Sequence, residues 1–136
     1  MALDMKKIMI LLQRKYSSIR EIANLTKELE GAFARNDEVS ATMLLQMRAD
    51  EMEKIERCME EIWRMGESGR EDNKNLRILI TSDPAKATGA SPEERKIYEI
   101  RKKTQETLNS LRVADERLNR KLTGDKSYYC KANALR

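Results

Sequence analysis

Apolar residues recur at steps of three and four along three long stretches of this chain, and that period constrains the fold more than any other feature. In the first stretch Ile8, Leu12, Ile19, Ile22, Thr26, Leu29 and Phe33 fall on one side of a helix, and no proline interrupts them. In the second the stripe is Ala41, Leu44, Leu45, Met52, Ile55, Met59 and Ile62, with Met47 and Cys58 on one shoulder and Trp63 on the other. In the third it is Ile97, Ile100, Thr104, Leu108, Leu111, Leu118 and Leu122. The spacing predicts helices over 3–34, 38–65 and 92–122. Each would be about 45 Å long at the rise of an α-helix.

Local signals divide these helices. Asn36 and Asp37 break the first from the second, and either side chain can accept from the open N–H groups of the next helix. Gly66 and Gly69 end the second. Ser91-Pro92-Glu93-Glu94 is a start signal: Ser91 caps, Pro92 takes the first helical position, and Glu94 closes a capping box. Gly124 stops the third helix. Residues 66–91 read as a linker. Leu76, Ile78, Leu79 and Ile80 form a patch too short for a major element, which folds back over an open end of the core. A short basic tail, 123–136, carries Tyr128 and Tyr129.

A helix with one apolar stripe must bury it against another. The expected fold is therefore all-α, with three long amphipathic helices in an elongated antiparallel bundle: a helical hairpin plus a third helix, in one domain of 136 residues. The composition agrees, with 40% hydrophobic and 37% charged residues. Such a balance suits long helices with solvated outer faces.

Charge is segregated. Residues 37–72 hold eleven acidic against five basic residues, a net of −6. Residues 1–36 and 92–122 each carry +3. The simplest reading is an acidic helix packed between basic neighbours. No dense, one-sided basic stripe of the kind nucleic acid demands is present. No run approaches the roughly 18 apolar residues of a membrane span. The apolar IMILL at 8–12 is bracketed by Lys6, Lys7, Arg14 and Lys15 and lacks a cleavage site, so it does not read as a secretion signal. Cys58 and Cys130, two lone thiols, form neither a disulfide scaffold nor a zinc site. The expected location is the cytoplasm.

Chemistry for catalysis is sparse. There is no histidine, no Gly-rich phosphate loop and no nucleophile elbow. The carboxylates lie at helical spacing among lysines and arginines, the pattern of a solvated face. The expectation is a non-enzymatic protein without cofactor or metal.

Two features depart from plain stripes. Arg48 and Asp115 each fall near the centre of an apolar arc. In an antiparallel pair of helices running from Gly66 and Pro92, they come within about a turn and a half of each other. They either form an ion pair in the seam that fixes register, or both bend to the surface. The second feature is an apolar excess. Met9, Ile10, Val113 and Trp63 lie off the main stripes, which points to a second contact surface, a homodimer seam or a site for a partner helix. Met43, Met47, Met52, Met59 and Met65 share one helix, either as core filler or as an adaptable surface.

The pattern resembles the small flagellar type III export chaperones of the FlgN and FliT kind. The resemblance is carried by LTKELEGAFARND at the end of the first helix, DEVSATMLLQMRADEMEKIE in the second and ETLNSLRVADERLNRKL in the third, and covers residues 8–122. It implies a chaperone that binds the amphipathic terminal helices of a hook-associated or filament-cap protein, prevents premature assembly and delivers the client to the export apparatus. Leu108, Leu111, Leu118 and Leu122 would meet the client helix, with Tyr128 and Tyr129 as rim anchors. Because the same leucines serve the bundle's own core, binding would need the third helix to shift. The rival reading is a homodimeric helical adaptor without an exported client.

Overall fold

The computed structural model describes residues 3–87 and 89–124, with side chains described through Arg120. Four α-helices and no strand occur among the described residues: α1 (Met5–Ala34), α2 (Glu38–Arg64), α3 (Arg70–Thr81) and α4 (Pro92–Gly124). The chain is an all-α helical bundle.

Asp4 starts α1 by accepting from the Lys7 amide at 3.1 Å. The helix stops at Ala34, and two residues on Asn36 takes the left-handed conformation (φ 56°) usually left to glycine. The Asp37 amide then donates to the Ala32 carbonyl at 2.9 Å and the Asn36 amide to the Phe33 carbonyl at 3.1 Å, which satisfies two open carbonyls. Asp37 in turn caps α2, accepting from the Ser40 amide at 3.0 Å and the Ser40 hydroxyl at 2.6 Å. These bonds hold the Asp37 carboxyl below its ordinary pKa, the side-chain bond contributing most. Three residues thus close one helix and open the next, and the chain reverses. Lys7 near the start of α1 meets Glu61 near the end of α2 at 3.4 Å, as antiparallel neighbours do.

The segment 66–91 is not wholly a linker. After a 3₁₀ turn at Met65–Ser68, α3 runs for 12 residues. Leu76 and Leu79 are buried in the main core. Gly66 lets the turn approach α3, since a Cβ there would sit 3.0 Å from Leu76 Cδ2. Asp72 accepts from the Ser68 hydroxyl at 2.6 Å across the same corner. At its far end α3 is held by Arg101 of α4, whose guanidinium donates to the Leu79 carbonyl at 2.9 Å, to the Ser82 hydroxyl at 3.2 Å and to the Ser82 carbonyl. A cation at a helix C-terminus also suits the helix dipole.

Ser91 caps α4 by accepting from the Glu94 amide at 3.2 Å. The Glu94 carboxylate accepts from the Ala90 amide at 2.9 Å, one residue before the cap, so the box closes slightly wider than its usual form. α4 runs alongside α1 in the same direction. Ile97 and Ile100 share a core with Ile8, Leu118 shares one with Leu29 and Ala32, and Arg117 meets Glu30 at 2.9 Å. α1 therefore lies between α2 and α4, and the α2 and α4 backbones scarcely approach each other.

Two cores result. The larger gathers Ile8, Leu11, Leu12, Ile62, Leu76, Leu79, Ile97 and Ile100 from all four helices. The smaller, at the hairpin tip, has only Leu29, Ala32, Ala41 and Leu118, with Phe33 and Leu44 packed against it. Between them α1 buries Ile19, Ile22, Leu25 and Thr26, the last bonded to its own helix through the Ile22 carbonyl at 2.7 Å.

Candidate protein-binding face

The structure brings Arg48 and Asp115 together. Arg48 Nη2 lies 3.3 Å from Asp115 Oδ1, joining α2 to α4 where their backbones stand apart. The Arg48 side chain is only 13% exposed and that of Asp115 38%. Arg48 Nε is buried without a hydrogen-bond partner among the described residues. The pair is thus only partly satisfied, which makes it a weak source of stability and a better device for register.

The α4 leucines turn inward. Leu111 and Leu118 are buried and Leu108 is half-buried. While α4 stays docked, a partner has little access to them. The side chain of Leu122, and Tyr128 and Tyr129 altogether, lie outside the described residues.

The exposed apolar surface lies instead on α2. Val39 is 72% exposed and Met43 62%, and Leu45, Met47 and Met52 are all exposed. Of the first half of α2 only Ala41 is buried. Sequence periodicity assigns Leu45 and Met52 to a buried stripe, but both are exposed, on the side of α2 that no helix among the described residues covers. The physical reason is the shape of the bundle: α1 alone cannot cover a stripe this wide. A signal was present in the sequence. Val39, Met43, Leu44, Leu45 and Met47 spread around far more of the helix than one contact requires. Elsewhere Ile10 and Val113 are exposed singly, Trp63 is at the margin, and Met9 packs on the main core.

Charge divides α2 lengthwise. From Val39 to Ala49 the only charged side chain is Arg48, which turns toward Asp115. Beyond it Glu53, Glu56 and Glu60 are exposed on the side facing away from α1, with no ion-pair partner within 4 Å among the described residues. The helical period puts them next to Leu45 and Met52. Lys54 pairs with Glu51 at 3.0 Å, and both Lys54 and Arg57 line the groove against α1, while exposed Arg64 stands one turn beyond Glu60 without a salt bridge to it.

Two cations behave differently. Burial, and then the charge of Arg101, lowers the pKa of Lys15 from its ordinary value, and burial likewise lowers that of Arg101. Both are half-buried near the larger core, away from Leu45 and Met52. Among the described residues no group of three or more His, Cys, Asp or Glu side chains could hold a metal ion, and no helix is long and apolar enough to cross a membrane.

Comparison with protein-family models, curated proteins and solved structures finds no match to this chain.

Proposed function

We propose that this protein is a helix-binding chaperone of the export type it resembles in sequence. In this reading it works in the cytoplasm, takes an amphipathic terminal helix of a hook-associated or filament-cap protein, keeps that helix from assembling early and delivers it to the export apparatus. The observation that carries the reading is the number of exposed large apolar side chains on α2 from Val39 to Met52, with Leu45 and Met52 seven residues apart on one side of the helix. Exposed apolar surface of this kind on a small domain marks a contact site. Methionine suits a surface that must adapt to its partner. An apolar helix face is the natural complement of another amphipathic helix.

The docking face thus moves from α4 to α2. This removes a difficulty, because Leu111 and Leu118 can stay in the core while a client binds. The test is a photo-crosslinking residue placed at Leu45 in the native cell. The expected product joins this chain to a hook-associated or cap protein. Products made only of two copies of this chain would favour the homodimeric adaptor and contradict the chaperone reading.

A further inference from the structure

We propose that the occupant of the α2 face is a basic amphipathic helix of a partner protein, lying along α2 with its apolar residues over Leu45, Ala49 and Met52 and its lysines or arginines over Glu53, Glu56 and Glu60. This rests on the helix-binding reading above and adds the charge and register of the partner.

The argument is one of complementarity. On the side of α2 that carries the glutamates Leu45, Ala49 and Met52 are exposed and follow one another at steps of four and three, while Met43 and Met47 lie on the opposite side. Leu45 to Met52 spans about 10 Å, two turns of a partner helix. The same side presents Glu53, Glu56 and Glu60, none of them in a salt bridge among the described residues, with Arg57 and Arg64 one turn beyond Glu53 and Glu60. The whole segment 37–72 is net −6, so the local field around the three glutamates is negative although the full chain is net +4. A neutral or acidic helix would cover the apolar half but leave three carboxylates partly desolvated and unpaired. A basic one pairs them and is drawn in by long-range attraction. The same charge opposes a second copy docking through this face: a parallel copy brings the carboxylates together, and an antiparallel one sets them over apolar residues that cannot pair them.

The test uses the full chain and two labelled 20-residue helical peptides with the same leucine stripe, one flanked by lysines and one by glutamates. Fluorescence anisotropy should show the basic peptide binding at least about tenfold tighter, with the advantage shrinking as salt rises. Met52→Glu should abolish binding. Glu53→Lys, Glu56→Lys and Glu60→Lys together should reverse the preference, and since these positions are exposed that variant should keep its circular dichroism spectrum. Equal binding of both peptides, lost in Met52→Glu, would overturn the charge assignment and leave the helix-binding reading standing. Binding of neither would overturn both. Sedimentation of the chain as a dimer that Met52→Glu dissociates would assign the face to a second copy, and a carbodiimide cross-link from Glu53 or Glu56 to Lys126 or Lys131 would assign it to the chain's own C-terminal segment. Either result overturns the proposal.

Discussion

The two ends of this bundle use similar residues to different ends. At one, α3 closes over the ends of α1, α2 and α4, and Ile62 of α2 is completely buried among Leu76, Ile97 and Ile8. At the other no fourth helix is present among the described residues, and α2 buries only Ala41 while Val39 and Met43 are exposed. Both halves of α2 carry large apolar side chains. Their fate depends on how many walls surround them. One helix thus anchors the fold at its C-terminal end and leaves apolar side chains exposed at its N-terminal end.

The largest expected effect tests the thick end. Leu76→Ala removes a fully buried side chain from the four-helix core and should cost about 3 kcal/mol in urea unfolding. The matching change at the thin end, Met43→Ala, should fall within about 0.5 kcal/mol of the parent. Equal losses at the two positions would remove the distinction between them.

A smaller effect is expected where the ends join. Asp115→Ala leaves the mostly buried Arg48 without its carboxylate and should cost about 1–2 kcal/mol, less than for a fully buried pair because Asp115 is partly in water. Arg48→Met with Asp115→Leu should recover that loss, since an apolar pair has no charge to desolvate. Failure of the double variant to exceed Asp115→Ala would mean that the ion pair contributes more than register. At the start of α4, Ser91→Ala should cost about 1 kcal/mol through loss of the cap to the Glu94 amide.

The smallest effect has the opposite sign. Burial and Arg101 lower the pKa of Lys15, so the folded chain binds that proton less tightly than the unfolded chain does. The penalty is present in full at pH values below the folded pKa. It is relieved as pH rises through that lowered value toward the ordinary one. Lys15→Met should therefore raise the melting temperature at neutral pH, and the gain should shrink in alkali.

The helical character of the chain was legible because its signals are local. Asn36, Asp37 and Ser91 act through bonds to residues within five positions of themselves, so short sequence windows reveal them. The meeting of Arg48 with Asp115 was open to reasoning for a different reason: long straight helices carry register over many turns. α3 was harder to see. Its buried positions Asp72, Leu76 and Leu79 keep a helical spacing, but they sit among polar residues and include a carboxylate whose partner, Ser68, belongs to the preceding turn. The exposed apolar side of α2 was hardest. Leu45 and Met52 look in sequence like core residues, as Ile55 and Ile62 do. Only the position of the other helices leaves them uncovered, and that is a property of the whole fold.

Hydrogen–deuterium exchange of the full chain, with and without the basic amphipathic peptide, tests this division most directly. Slowed exchange should concentrate in residues 39–60, with α3 and the 108–118 segment of α4 unchanged. Protection centred on 108–118, with none on α2, would contradict the account and return the docking site to the leucines of α4.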